Sequence, residues 1–301
     1  MPLSPNYTIC EEIYQDNRIE LFKGFITANH VPVIIKKLKK EAVNLIEVSR
    51  IINEFKITQS LAIDGVIRPI ELVQGKSCFA IVMEDKGTVP LKKYTGSKPV
   101  KVSLFVEIAV QLADILSRVH SRGIIHGSLK PDNILINPDT LKVYITGFDQ
   151  ALIISSDKGF ENPIPLISDC SYEYISPEQT GRLIVALDWR SDLYSLGVVF
   201  YEMLTGRLPI TAQNEVEWMH AHITSKPLKP DLINPQIPAV VSEIVIKLLE
   251  KNADKRYQST LGLLHDIEEC RKQLNNTGKI DVFEIGKKDV KFDIIFMDPP
   301  Y

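Results

Sequence analysis

The chain has 301 residues, of which 45% are hydrophobic and 24% charged, with a net charge of −3 at pH 7. That length suits one large domain or two modest ones, and the near-neutral balance gives no overall attraction to nucleic acid or an anionic membrane. The four cysteines, Cys10, Cys78, Cys170 and Cys270, are far apart and form no CxxC pair, which speaks against a zinc site or disulfide framework and for a reducing cytoplasm.

Met1 to Thr8 lacks the basic start and apolar run of a signal peptide. No apolar stretch approaches the roughly 20 residues of a membrane helix, so no membrane partner is expected. The β-branched run Val31 to Leu38 predicts a strand. A helix-permissive segment follows from Glu41 to Leu61, then strand-like runs at Gly65–Val73 and Cys78–Met83. Residues 103–120 place Ile108, Leu112, Ile115 and Val119 at helical spacing. Strand-like pieces flank a loop between 123 and 150. Helical patterns then dominate at 191–205, 214–223, 239–251 and 258–274. The order is a mostly β half before a mostly α half, an α+β arrangement. Asn275-Asn276-Thr277-Gly278 marks an expected break.

Seven segments, in order and in register, resemble the eukaryotic-type protein kinase family over residues 7–274, with an N-lobe over 7–85 and a C-lobe over 86–274. Val33-Ile34-Ile35-Lys36 resembles the VAIK strand, and Glu54 stands where the lysine's ion-pair partner belongs. Met83-Glu84-Asp85 resembles the gatekeeper and hinge. His126 to Asn133 (HGSLKPDN) resembles the catalytic loop and retains Lys130. Ile145 to Asp149 occupies the place of DFG, Ser176-Pro177-Glu178 that of APE, and Asp192 to Gly197 the start of the central helix. Arg256 stands where an arginine pairs with the APE glutamate. YISPEQTGR, DWRSDLYSLGV and KRYQS are similar to the N-terminal kinase-like domains of large bacterial proteins that also carry AAA-type ATPase, GAF and histidine kinase modules.

The resemblance implies ATP as the candidate ligand, at Lys36, Glu54, the hinge residues and Asn133. Two chemical groups are missing. Ser128 replaces the catalytic-loop aspartate, and a hydroxyl cannot take a proton near neutral pH as a carboxylate does. Gly147 replaces the DFG aspartate, leaving Asn133 as the retained magnesium ligand, so magnesium is expected to be held poorly. Asp149, two residues on, is the only nearby substitute, roughly 6–7 Å away along an extended chain. The phosphate-covering glycines are replaced by Tyr14, Asp16 and Ile19, and Gly127 replaces the arginine that reads a phosphorylated activation segment. Glu178, Asp192 and Arg256 belong to the frame. The expectation is a pseudokinase-like signalling module acting on protein partners or attached domains. The alternatives are a weak Ser/Thr kinase using Asp149 for metal and a nucleotide-free docking scaffold.

Other features read more plainly. His220 and His222 do not share a helix face and are not expected to bind metal. Lys37, Lys39 and Lys40 read as solvated, and Asp132 as a turn residue. The hydroxyls of Ser155, Ser156, Ser168, Ser171, Tyr172 and Tyr174 read as exposed loop groups. Residues 275–301 read as a linker and fragment ending in Asp298-Pro299-Pro300-Tyr301, which resembles the DPPY motif of N6-adenine methyltransferases. No glycine-rich nucleotide loop in a doubly wound unit precedes it, so methyl transfer and nucleic-acid binding are not expected.

Overall fold

The computed structural model describes residues 5–75, 78–155, 159–160, 171–183 and 185–286. Strands β1 (Tyr7–Gln15), β2 (Ile19–Ile26) and β3 (Pro32–Leu38) form an antiparallel meander. Helix α1 (Leu45–Leu61) follows, and β4 (Pro69–Gly75) and β5 (Cys78–Glu84) complete a sheet in the order β1-β2-β3-β5-β4. Alternation along β3 divides its side chains between two faces. Val33 and Ile35 pack with Ala80 and Val82, while Ile34 and Leu38 join the cluster that contains Ile51 of α1. Lys36 shares the second face and is thereby aimed at the helix.

Helix α1 is shorter than the pattern at 41–61 suggested. Lys40–Ala42 forms a 3-10 turn, and the helix begins after Asn44, whose side chain accepts from the amides of Ile46 and Glu47. The strand expected at 65–73 begins instead at Pro69. Gly65, at φ 96° and with no room for a side chain against Ile115, carries the chain into a parallel bridge between Val66 and Ile145.

The second half opens with β6 (Val89–Pro90), α2 (Leu91–Thr95) and the long α3 (Val102–His120). Short strands β7 (Ile124–Ile125), β8 (Ile134–Ile136), β9 (Val143–Ile145), β10 (Leu152–Ser155) and β11 (Gly159–Phe160) follow. Helices α4 (Arg190–Thr205), α5 (Glu215–Thr224), α6 (Pro230–Ile233), α7 (Ala239–Leu248) and α8 (Thr260–Thr277) complete it. Helix α4 is buried on nearly all faces, as expected of a helix at the centre of a core. The main apolar cluster runs from α3 through α4 to α7 and α8.

The break expected at Asn275 falls later. Helix α8 continues to Thr277 and ends at Gly278, φ 71°. Beyond it Ile280, Phe283 and Ile285 pack on the main cluster, and the Gly286 amide donates to Asp266 Oδ2 at 2.7 Å. Asp298-Pro299-Pro300-Tyr301 lies outside the described residues, as do Cys170, Ser156 and Ser168. No helix among the described residues is long and apolar enough to cross a membrane.

Candidate functional site

The cleft between the halves is organised from α1. Lys36 Nζ lies 2.6 Å from Glu54 Oε2, and Glu54 Oε1 accepts from the Gly147 amide at 3.2 Å. One turn of helix therefore ties strand β3 to the loop after β9. Asn53, beside it, donates to the Ala151 carbonyl at 3.0 Å. Burial works against the Lys36 ammonium, but Glu54 and Asp149 outweigh it and raise its pKa. Burial likewise raises the Glu54 carboxyl, opposed by Lys36 and the Gly147 amide. With an ammonium and an amide both donating to it, Glu54 is the anion of a buried ion pair.

The lower face of the cleft carries the lost groups. His126 and Gly127 donate their amides to Asp192 at 2.8 Å each, which fixes the loop that presents Ser128. Burial alone would raise the Asp192 carboxyl, yet the His120 hydrogen bond, the histidine charges and the Gly127 amide lower its pKa. Asn133 Nδ2 donates to the Ser128 carbonyl at 2.8 Å. Gly147 sits directly beside it, at φ 81°, ψ 43°. A Cβ there would come within 2.6 Å of Asn133 Cγ, Oδ1 and Nδ2. The asparagine side chain thus fills the space a side chain at 147 would need.

Asp149 is not reached along an extended chain as the sequence suggested. Phe148–Gln150 forms a 3-10 turn. Burial pushes the Asp149 carboxyl up, but the charges of Lys36, Arg18, Arg50 and Lys130 prevail and hold it below the ordinary range. Among the described residues no group of three or more His, Cys, Asp or Glu side chains could hold a metal ion.

The turn over the cleft also departs from a phosphate cradle. Asp16 Oδ1 accepts from the amides of Arg18 and Ile19 at 2.7 and 2.8 Å. The carboxylate that replaces glycine therefore caps its own turn. Arg18 NH1 reaches Glu47 Oε2 at 3.2 Å, and Arg50 NH1 holds Glu47 Oε1 at 2.6 Å. Tyr14 is exposed at 44%, its hydroxyl on Asp16. Ile19 and Ile34 from above belong to one apolar cluster with Met83, Leu135 and Tyr144. At the end of β5, where the hinge is expected, Glu84 pairs with Lys86, and Asp85 Oδ1 accepts from the Gly87 amide.

The frame is held by Glu178 and Arg256, joined by two hydrogen bonds of 2.5 and 2.9 Å. Ser191 adds a third contact to Glu178 at 2.9 Å. Burial is again overcome, here by Arg256, and the Glu178 pKa is lowered. Three of the hydroxyls expected to be exposed, those of Ser171, Tyr172 and Tyr174, are engaged instead. Ser171 accepts from Lys130 Nζ at 2.8 Å, Tyr172 donates to Glu215, and buried Tyr174 donates to Glu202 at 2.6 Å. His222 is fully buried between the Tyr194 hydroxyl and the Tyr172 carbonyl, while the His220 ring lies against Thr224 of its own helix turn. Lys37 pairs with Glu20, Lys39 bonds Gln15, and Asp132 lies 3.7 Å from Lys92.

The protein kinase domain family matches residues 20–267. A probable serine/threonine-protein kinase of Clostridium perfringens is 32% identical over 81% of this chain and 33% of its own length. One from Clostridium acetobutylicum is 28% identical over 91% of this chain and 41% of its own. A hybrid signal transduction histidine kinase G of Dictyostelium discoideum is 32% identical over 61% of this chain and 7% of its own. The chain thus spans less than half the length of each of these relatives. The family match and these relatives lend no support to the methyltransferase alternative.

Proposed function

The chain belongs to the protein kinase family, and on that premise we propose that it is a signalling module whose phosphoryl-transfer chemistry is impaired. The observation that carries this reading is a contrast within one cleft. The positioning pairs, Lys36–Glu54 and Glu178–Arg256, are made at 2.6 and 2.5 Å, while no carboxylate stands at 128 or 147. Phosphoryl transfer relies on positioning and on charge stabilisation, and only the first is supplied. Lys36, held in place by Glu54, would hold the nucleotide phosphates. Magnesium would be held poorly beside them, because Gly147 has no side-chain oxygen and Asn133, its Nδ2 on the Ser128 carbonyl, has only one oxygen to give.

Such a module acts through the position of α1 and of the segment after Gly147, which Glu54 and Asn53 tie together. Protein partners or attached signalling domains would read that position. The test is transfer of the ATP γ-phosphate to the chain itself or to generic protein substrates. No transfer above a Lys36→Ala control is expected; clear turnover that the substitution abolishes would overturn the proposal.

A second reading, a weak Ser/Thr kinase, has one observation in its favour. Asp149 lies in the 3-10 turn that directly follows Gly147, and although burial pushes its carboxyl up, the charges of Lys36, Arg18, Arg50 and Lys130 hold it below the ordinary range. Asp149→Ala should then abolish any residual transfer, and unchanged transfer would remove Asp149 from that role.

A further inference from the structure

Helix α8 does not end the fold. After Gly278 the chain turns on the Thr277 hydroxyl, which donates to the Lys279 carbonyl at 2.9 Å, and runs back along the helix. The Asp281 amide reaches Gln273 Oε1 at 2.8 Å, and the Gly286 amide reaches Asp266 Oδ2 at 2.7 Å. Ile280, Phe283 and Ile285 turn inward onto the main cluster, while Asp281, Val282 and Glu284 are exposed. This strap of residues 279–286 lies beyond residue 267, where the family match stops.

The strap ends against the frame. Asp266 is buried, and the Oδ2 that accepts from Gly286 also accepts from the Tyr257 hydroxyl at 2.7 Å. Tyr257 is fully buried, with Lys247 Nζ over its ring at 4.3 Å from the centre. Gly286 stands against that ammonium at φ 76°, and a Cβ there would come within 2.0 Å of Lys247 Nζ. The left-handed backbone calls for glycine, and a side chain would also push the ammonium off the Tyr257 ring. Next to Tyr257, Arg256 holds both carboxylate oxygens of Glu178 and the carbonyls of Arg190, Glu250 and Lys251. One buried carboxylate therefore joins the strap to the residue pair that fixes the end of the activation segment.

We propose that residues 279–286 are a latch that couples the chain after α8 to the Glu178–Arg256 frame. Half-buried anchors hold an irregular segment less firmly than the frame is held, so the strap opens first. Its release takes one of the two donors from Asp266 and opens the Tyr257–Asp266 pair to water, which weakens the hydrogen bond between them. A segment that pulls on Gly286 thereby loosens the seat of Glu178. The latch goes beyond the proposed function and holds whether or not the cleft transfers phosphate.

The experiment is hydrogen exchange of the whole chain, read over the strap, over 176–180 and 252–258, and over β2 and β3 as a distant reference. Phe283→Ser removes an anchor, and Gly286→Ala puts a side chain at positive φ beside Lys247. Each should raise exchange in the strap and, by about tenfold, at 176–180 and 252–258, the scale of one hydrogen bond to a charged group. Strands β2 and β3 should not change. Asn44→Ala, which loosens α1 far from the strap, should leave the strap and the frame segments as in the parent. Tyr257→Phe removes the shared hydrogen bond. In that background the strap substitutions should still free the strap but add nothing at the frame.

Exchange raised in the strap alone, or raised equally in β2 and β3, overturns the proposal. So does a parent strap that exchanges as fast as unstructured chain, or a frame effect undiminished by Tyr257→Phe. Phosphate transfer is measured separately and decides only the proposed function.

Discussion

The packing of Asn133 on Gly147 can be tested by adding a single carbon. In Gly147→Ala the new Cβ comes within 2.6 Å of three Asn133 atoms, at a backbone φ of 81°. A non-glycine residue in the left-handed region costs about 1–2 kcal/mol. Displacing Asn133 also gives up its hydrogen bond to Ser128, about 1 kcal/mol net. The expected loss is therefore roughly 2–3 kcal/mol, or about 3–6 °C in Tm for a domain of this size. Urea unfolding followed by the fluorescence of Trp189 and Trp218 measures it. Asn133→Ala alone should cost about 1 kcal/mol, and the double variant should be more stable than the two single losses predict, because the clash is gone. Gly147→Asp should fare no better than Gly147→Ala, since its carboxylate would enter beside Glu54. A Gly147→Ala protein as stable as the parent, or strict additivity with Asn133→Ala, would refute the packing argument.

Further expectations concern the frame. Burial pushes His222 down to about 4 from an ordinary 6.5. Its surroundings are the Tyr194 hydroxyl, the Tyr172 carbonyl and the Trp218 ring, with Lys251 on Tyr194. The unfolded chain then binds the extra proton between pH 6.5 and about 4. Stability contributed by His222 is complete above that window and is lost as pH falls through it, up to roughly 3 kcal/mol at 1.36 kcal/mol per unit. The urea midpoint of His222→Gln should accordingly vary less with pH in this window than the parent's, and an unchanged slope would contradict the assignment. Glu178→Gln leaves the Arg256 guanidinium buried and uncompensated, so it should cost about 3–5 kcal/mol; a loss below 1 kcal/mol would mean the pair is dispensable. Asn44→Ala removes the cap of α1 and should cost about 1 kcal/mol, seen first as faster amide exchange in the opening turn of that helix. Uniform exchange across α1 in both proteins would count against the cap.

The two-part fold was legible because period-two and helical patterns separate cleanly along this chain, and because sequence motifs record contacts between distant residues. Lys36 and Glu54 are 18 positions apart, Glu178 and Arg256 78 apart, and in each pair the residues meet. What stayed hidden depended on side-chain direction or on long-range packing. The sequence reports that position 147 lacks a carboxylate, but not that Asn133 fills the space. Asp16 reads only as the replacement of a phosphate-covering glycine until its carboxylate is seen accepting two amides of its own turn. The stretch 148–150 carries no helical period, being a single 3-10 turn imposed by its neighbours. Asn275 and Asn276 are weak helix formers, yet α8 runs through them and only Gly278 stops it. Tyr172 and Tyr174 read as loop hydroxyls because their acceptors, Glu215 and Glu202, lie far along the chain.

The central claim is an intact frame without its transfer chemistry, and one preparation tests both halves of it. Cooperative unfolding establishes the frame, and the single-turnover rate of phosphate transfer from ATP with magnesium is then measured on the same sample. Kinases turn over at roughly 1–100 per second, and loss of the general base alone lowers a rate by about 10²–10⁴. The account predicts a folded chain whose transfer rate lies below about 10⁻² per second and does not change in Lys36→Ala. A folded chain that transfers phosphate at about 1 per second or faster, and loses that rate in Lys36→Ala, would contradict it.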